Sequence, residues 1–122
     1  ERVSVKDFGA VGNGKADDTK AIQAAIDRVA SSGGGIVFFP SGTYKVTIDP
    51  STSRAITIRR SITLQGEGNK NSIIKLDYQG NYTAILTGEA LASDLSGFAM
   101  YDLAIDGNAT KNPVKSLSDF DN

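Results

Sequence analysis

One stretch near the start of the chain restricts its fold more than any other: an amphipathic helix bracketed by two aspartates and three glycines. Ile22, Ala25, Ile26 and Val29 recur at the i, i+3, i+4, i+7 spacing of one helical face, while Lys20, Gln23, Asp27 and Arg28 occupy the other. Asp17 and Asp18 stand just before the periodic run. A short carboxylate there can accept hydrogen bonds from unpaired first-turn amides and suits the positive end of the helix dipole, so one of the two is expected to be the N-cap. Gly33, Gly34 and Gly35 supply the positive φ needed to leave the helix and turn closely against another segment. The spacing therefore predicts a helix over about residues 18–31. Three or four helical turns are not stable alone in water, so the apolar face must lie on a surface supplied by the rest of the chain.

That surface must be β-rich. Short runs of strand-forming residues follow the helix: IVFF at 36–39, TYKV at 43–46, AITI at 55–58, SITL at 61–64, SIIKL at 72–76, TAIL at 83–86 and FAMYDLAI at 98–105. Val3, Val5 and Phe8 suggest a short opening strand, followed by a glycine-punctuated loop through Gly9, Gly12 and Gly14. Gly42, Gly66, Gly88 and Gly107 close several of the runs at intervals of 24, 22 and 19 residues. Such spacing suits a solenoid whose coils use two or three strands each. It also suits an antiparallel sandwich, with its frequent turns. In a solenoid, Ile36, Val37, Ile56, Ile58, Ile62, Leu64, Ile73, Ile74, Ile85, Leu103 and Ile105 would face a narrow core, and the helix would cover its open first coil.

Length and composition set further bounds. The 122 residues suit a single domain, 1–122, with coils over about 36–107 and an irregular stretch or the start of a continuation over 108–122. The pattern thins after Asn108, so the chain is expected to be a truncated piece of something longer, and an opening Glu1 is expected to be a trimmed start. A net charge of −1 argues against nucleic acid as a partner, and no apolar run is long enough for a membrane span. With neither cysteine nor histidine, the 122 residues offer no disulfide, thiolate, imidazole base or imidazole metal site. Their chemistry rests on carboxylates, Lys, Arg and Tyr, and no cofactor or metal is expected. GAVGNG at 9–14 matches neither the dinucleotide fingerprint nor the Walker pattern, and the following aspartates would repel a phosphate.

The runs VKDFGAVGNGKADDTKAIQAAID, GGGIVFFPSGTYKV and ITLQGEG resemble the N-terminal region of the pectate-lyase-like superfamily of right-handed parallel β-helices. The likeness covers roughly residues 3–107, with Asn13 where Asp is commoner. It implies an all-β, right-handed parallel β-helix of about three to four coils, with the N-terminal α-helix as its cap. It also implies carbohydrate as substrate class, because relatives cleave, epimerise or bind polysaccharides. In those families the motif residues present here are structural, and catalytic groups lie on later coils or at subunit boundaries, so the catalytic residues stay unassigned.

Asp17 and Asp18 could be read as paired acids, but the cap accounts for both. Glu67, Asp77, Glu89, Asp94, Asp102 and Asp106 flank strands and read as solvated turn residues rather than a glycosidase pair. Tyr78, Tyr82 and Tyr101 are the carbohydrate-contact candidates, and Tyr44, within P-x-G-x-Y, is expected to be buried. Arg54, Arg59 and Arg60 suit gatekeeping charges on a coil edge. The sequons at Asn81 and Asn108 have meaning only in a eukaryotic secretory context.

Three functions follow from the resemblance. The first is part of a phage tailspike or tail appendage, a homotrimer of parallel β-helices on the virion tail that binds and degrades a bacterial surface polysaccharide or teichoic acid. The second is a secreted, extracellular polysaccharide hydrolase or lyase, and the third a non-catalytic adhesive β-helix.

Overall fold

A computed structural model of the chain describes residues 1–52, 54–77, 84–88 and 97–107. β1 (Arg2–Ser4) runs into a 3₁₀ turn, Val5–Phe8, and β2 (Asn13–Asp17) leads to α1 (Thr19–Ser31). Among the described residues eight strands follow: β3 (Gly35–Phe38), β4 (Gly42–Val46), β5 (Arg54–Ile58), β6 (Ile62–Gln65), β7 (Ser72–Leu76), β8 (Ala84–Gly88), β9 (Ala99–Tyr101) and β10 (Ala104–Asp106). They form three parallel sheets, ordered β1-β3-β6-β9, β2-β4-β7-β10 and β5-β8. Each circuit visits the three faces in turn, so the fold is a three-sided parallel β-helix with four rungs on two faces. Every named strand pair is parallel, which excludes the antiparallel sandwich.

Register fixes the core. Val37 stacks on Leu64, Tyr44 on Ile74, Val46 on Leu76 and Ile56 on Leu86, and all eight are buried. Side chains alternate across a strand, so the inward Val37 and Ile74 turn their neighbours Ile36 and Ile73 to the outer surface, where both are half-buried rather than in the core. The helix closes the first coil with Ile22, Ala25, Ile26 and Val29, all fully buried. Burying each of the three larger side chains contributes about 1.5–3 kcal/mol. On the third face α1 takes the place a preceding strand would occupy, packing on β5.

Four further sequence expectations need correction. The opening strand stops at Ser4, because the Ser4 hydroxyl accepts the Lys6 N–H at 3.1 Å and turns Val5 into the core. The loop expected through Gly9, Gly12 and Gly14 gives way at Asn13 to β2, which pairs with β4. FAMYDLAI is two strands, broken at Asp102, whose φ of 55° bends the chain from one sheet to the next. The coil length is also greater than the glycine intervals suggested: Val37 returns at Leu64, 27 residues on, and Ile56 at Leu86, 30 residues on. Gly42 and Gly66 stand at opposite ends of the turn from the first sheet to the second, Gly88 ends β8 and Gly107 follows β10, so these glycines do not mark one recurring position.

Candidate functional site

Asp18 occupies the N-cap position of α1, but its side chain makes no cap hydrogen bond. Its buried carboxylate instead accepts from the N–H groups of Val11, at 2.9 Å, and Gly12, at 3.0 Å, tying the preceding loop to the helix start. The exposed Asp17 accepts from the Thr19 N–H, at 3.0 Å, and from the Thr19 hydroxyl. The two carboxylates therefore face different partners and do not form an acid pair. The Thr19 hydroxyl in turn accepts from the Thr47 N–H at 2.9 Å, anchoring the helix start to the end of β4.

The glycines act through close backbone contact. Gly33, Gly34 and Gly35 have φ of 99°, 115° and 148°. A Cβ on Gly35 would collide with the Glu1 carbonyl oxygen, and one on Gly42 would lie 2.7 Å from that of Gly12. Tyr44 is fully buried, donates its hydroxyl to the Pro40 carbonyl at 2.6 Å and meets Phe39 edge-to-face. Burial first, then the negative charges of Asp18 and Glu67, push its pKa up to about 12, so the phenol is a structural donor.

The acids that flank strands are dispersed. Glu67 accepts from the Ser41 N–H at 2.7 Å, Asp77 pairs with Lys45 at 3.4 Å, Asp102 sits in its left-handed bend, and Asp106 stands beside Lys75 in register. Among the described residues no group of three His, Cys, Asp or Glu side chains could hold a metal. The arginines are likewise separate: Arg59 pairs with Asp27 of the helix at 2.9 Å, and Arg54 begins β5. Tyr78, Tyr82, Glu89, Asp94 and both sequons lie outside the described residues.

Tyr101 is the tyrosine candidate that the structure places, and register shows its surroundings. On the first sheet Ser4, Phe38, Gln65 and Tyr101 form one column, one residue per rung, and Arg2, Ile36, Thr63 and Ala99 form the next. Leu64 faces the core, so its neighbours Thr63 and Gln65 face out, and the columns are the outer surface of the sheet. Tyr101 is 59% exposed, Phe38 is half-buried, and the Arg2 guanidinium lies over the Phe38 ring at 4.3 Å from its centroid. Aromatic faces and an amide thus line up across the strands, with lower side chains alongside. Such a strip can stack on and hydrogen-bond to an extended polar ligand. Sequence reasoning missed Phe38 and Arg2. The alternation in IVFF could have put Phe38 outside, but only register puts it in line with Tyr101.

Comparison with known proteins accords with this architecture. The family described as rhamnogalacturonase A/epimerase, pectate lyase-like, matches residues 2–115. The chain belongs to this family. Its fold is accordingly the right-handed parallel β-helix with an N-terminal capping helix. Mannuronan C5-epimerase AlgE3 of Azotobacter vinelandii is 43% identical over 110 residues, covering 86% of this chain and 6% of the epimerase. The A-module of the Azotobacter vinelandii epimerase AlgE6 superposes with a TM-score of 0.83 at 39% identity, over 92% of this chain and 30% of the module. ORF18 of Geobacillus virus E2 superposes with a TM-score of 0.71 at 35% identity, over 91% of this chain and 22% of that protein. The chain thus spans a small part of the length of these relatives.

Proposed function

We propose that this segment is the capped N-terminal part of a β-helix that acts on a polysaccharide, and that the outer face of β1-β3-β6-β9 contacts the polymer. The observation that carries the reading is the exposed Tyr101, two rungs from Phe38 in a single outward column with Gln65 between them. Neighbouring strands are about 4.8 Å apart, so the two rings are about 10 Å apart along the coil axis. The mannuronan epimerases among its relatives support a polyuronate of the mannuronan type as substrate. Among the described acids, Glu67 and Asp77 each engage a separate partner, which supports a binding role for this face.

The test is binding and turnover of mannuronan by the intact protein and its Tyr101→Ala variant. Affinity is expected to fall by about tenfold, the worth of a stacked aromatic contact. Unchanged affinity with an unchanged fold removes this surface from the reading. Binding without any change in the polymer would favour an adhesive β-helix.

A second reading rests on the likeness to the virus protein. In it the β-helix is a homotrimeric tail appendage that binds and degrades a bacterial cell-surface polysaccharide or teichoic acid. Light scattering on the intact protein separates the two: a stable trimer active on a bacterial surface polymer supports the virion reading, and a monomer active on mannuronan supports the extracellular enzyme.

A further inference from the structure

The Arg2 side chain is held without being used. Its guanidinium lies 4.3 Å from the Phe38 ring centroid, yet no described residue hydrogen-bonds or ion-pairs with it, and the residue is exposed. The nearby acids are committed elsewhere: Glu1 pairs with Arg28 at 3.3 Å, and Asp7 accepts from the Ser4 N–H at 3.3 Å. A guanidinium over an aromatic face is attracted through the ring quadrupole and leaves its N–H donors free for the fork that matches a carboxylate. Arg2 heads the column of Ile36, Thr63 and Ala99, which forms a low floor beside the taller column of Phe38, Gln65 and Tyr101.

We infer that the Arg2–Phe38 pair is a specificity-determining anchor that docks a carboxylate of an acidic sugar at the N-terminal end of this outer face. The inference rests on the proposed polysaccharide surface and adds the residue that selects for charge. Phe38 acts as a positioning residue. It restricts the guanidinium before ligand arrives, which lowers the ordering cost of the contact. A polymer seated here runs along the coil axis, one carboxylate on Arg2 and a later ring on Tyr101.

The test uses the intact protein, its Arg2→Gln, Arg2→Lys and Tyr101→Ala variants, and two probes: mannuronan and the same polymer with its carboxyl groups reduced to alcohols. Calorimetric titration is expected to show Arg2→Gln weakening mannuronan binding about tenfold. Binding of the reduced polymer should be unchanged, and the salt dependence for mannuronan should flatten. Arg2→Lys, which keeps the charge but loses the planar fork, is expected to fall between the two and guards against a folding defect in the Gln variant. Tyr101→Ala should weaken both polymers. Equal weakening of both polymers by Arg2→Gln marks a packing role and overturns the inference. Full mannuronan affinity in Arg2→Gln, with both polymers weakened by Tyr101→Ala, overturns the anchor and leaves the surface standing. If neither variant differs from the unsubstituted protein, or if that protein binds neither polymer, both readings fall.

Discussion

The side chain of Gln23 on α1 replaces a strand for Thr57 on β5. Its amide oxygen accepts the Thr57 N–H at 2.8 Å, and its amide nitrogen donates to the Thr57 carbonyl at 2.9 Å. A β-strand with no neighbour on one side leaves such a pair of groups open, and open edges invite pairing with another chain. On the first two faces the opening rung is a strand, β1 or β2. On the third it is a helix, whose own main-chain groups are already paired within α1. One glutamine therefore stands in for a strand at Thr57, while its amide nitrogen also donates to Asp27 at 3.1 Å.

Gln23→Ala should uncover both Thr57 groups. Leaving them without partners at a partly buried site is expected to cost about 1–3 kcal/mol. Denaturant titration would read the loss, and light scattering should show more self-association. Equal stability and no association would mean that water serves Thr57 as well as the glutamine does.

Asp18 gives a second contrast. Asp18→Ala strips acceptors from two loop amides, and hydrogen bonds to a charged group are worth about 1.5–3 kcal/mol, so a loss of about 3 kcal/mol is expected. Asp17→Ala removes an exposed helix-start contact worth about 1 kcal/mol. Measured unfolding free energies should therefore rank Asp18 above Asp17. The reverse order would mean that the helix start, not the loop, depends on this pair.

Much of this fold is legible in the sequence where a pattern has a single cause. The helix was legible because Ile22, Ala25, Ile26 and Val29 can share a face only at helical spacing, and the strands because β-branched runs are short and bounded. β2 was not. Asn13–Asp17 carries no hydrophobic alternation, and its strand character comes from pairing with β4, which lies some thirty residues later. The coil length is not legible because glycines at different points of a circuit look alike in one dimension. For the same reason Tyr101 could be named as a contact candidate, but not its alignment with Phe38 and Arg2, which exists only once 27 and then 36 residues have been wound into successive rungs.

The stacking of those rungs makes Gly42 a sensitive position. Its Cα lies under the preceding coil, where a Cβ would stand 2.7 Å from the Gly12 carbonyl oxygen, a backbone atom that cannot swing away. Gly42→Ala is expected to cost about 1–3 kcal/mol by overpacking. Gly9→Ala is the informative partner, since nothing lies within 4 Å of its Cβ and only its φ of 98° opposes the change. Thermal melts should show Gly42→Ala to be the more damaging. Comparable melts would place the cost in backbone conformation rather than in coil-to-coil contact.

Alkali should act through Tyr44. The unfolded phenol ionises near pH 10, whereas in the folded chain burial and the charges of Asp18 and Glu67 raise its pKa to about 12. Between those values the folded state holds a proton that the unfolded state has released, so stability falls as pH rises. The contribution is fully present below pH 10 and is lost progressively as pH climbs to about 12. Tyr44→Phe removes the titrating group together with the hydrogen bond to Pro40, so the variant should be less stable at neutral pH yet lose less between pH 9.5 and 11.5 than the unsubstituted chain. Urea titrations across that window test the sign directly. Parallel pH curves for the two proteins would show that another group governs the alkaline transition.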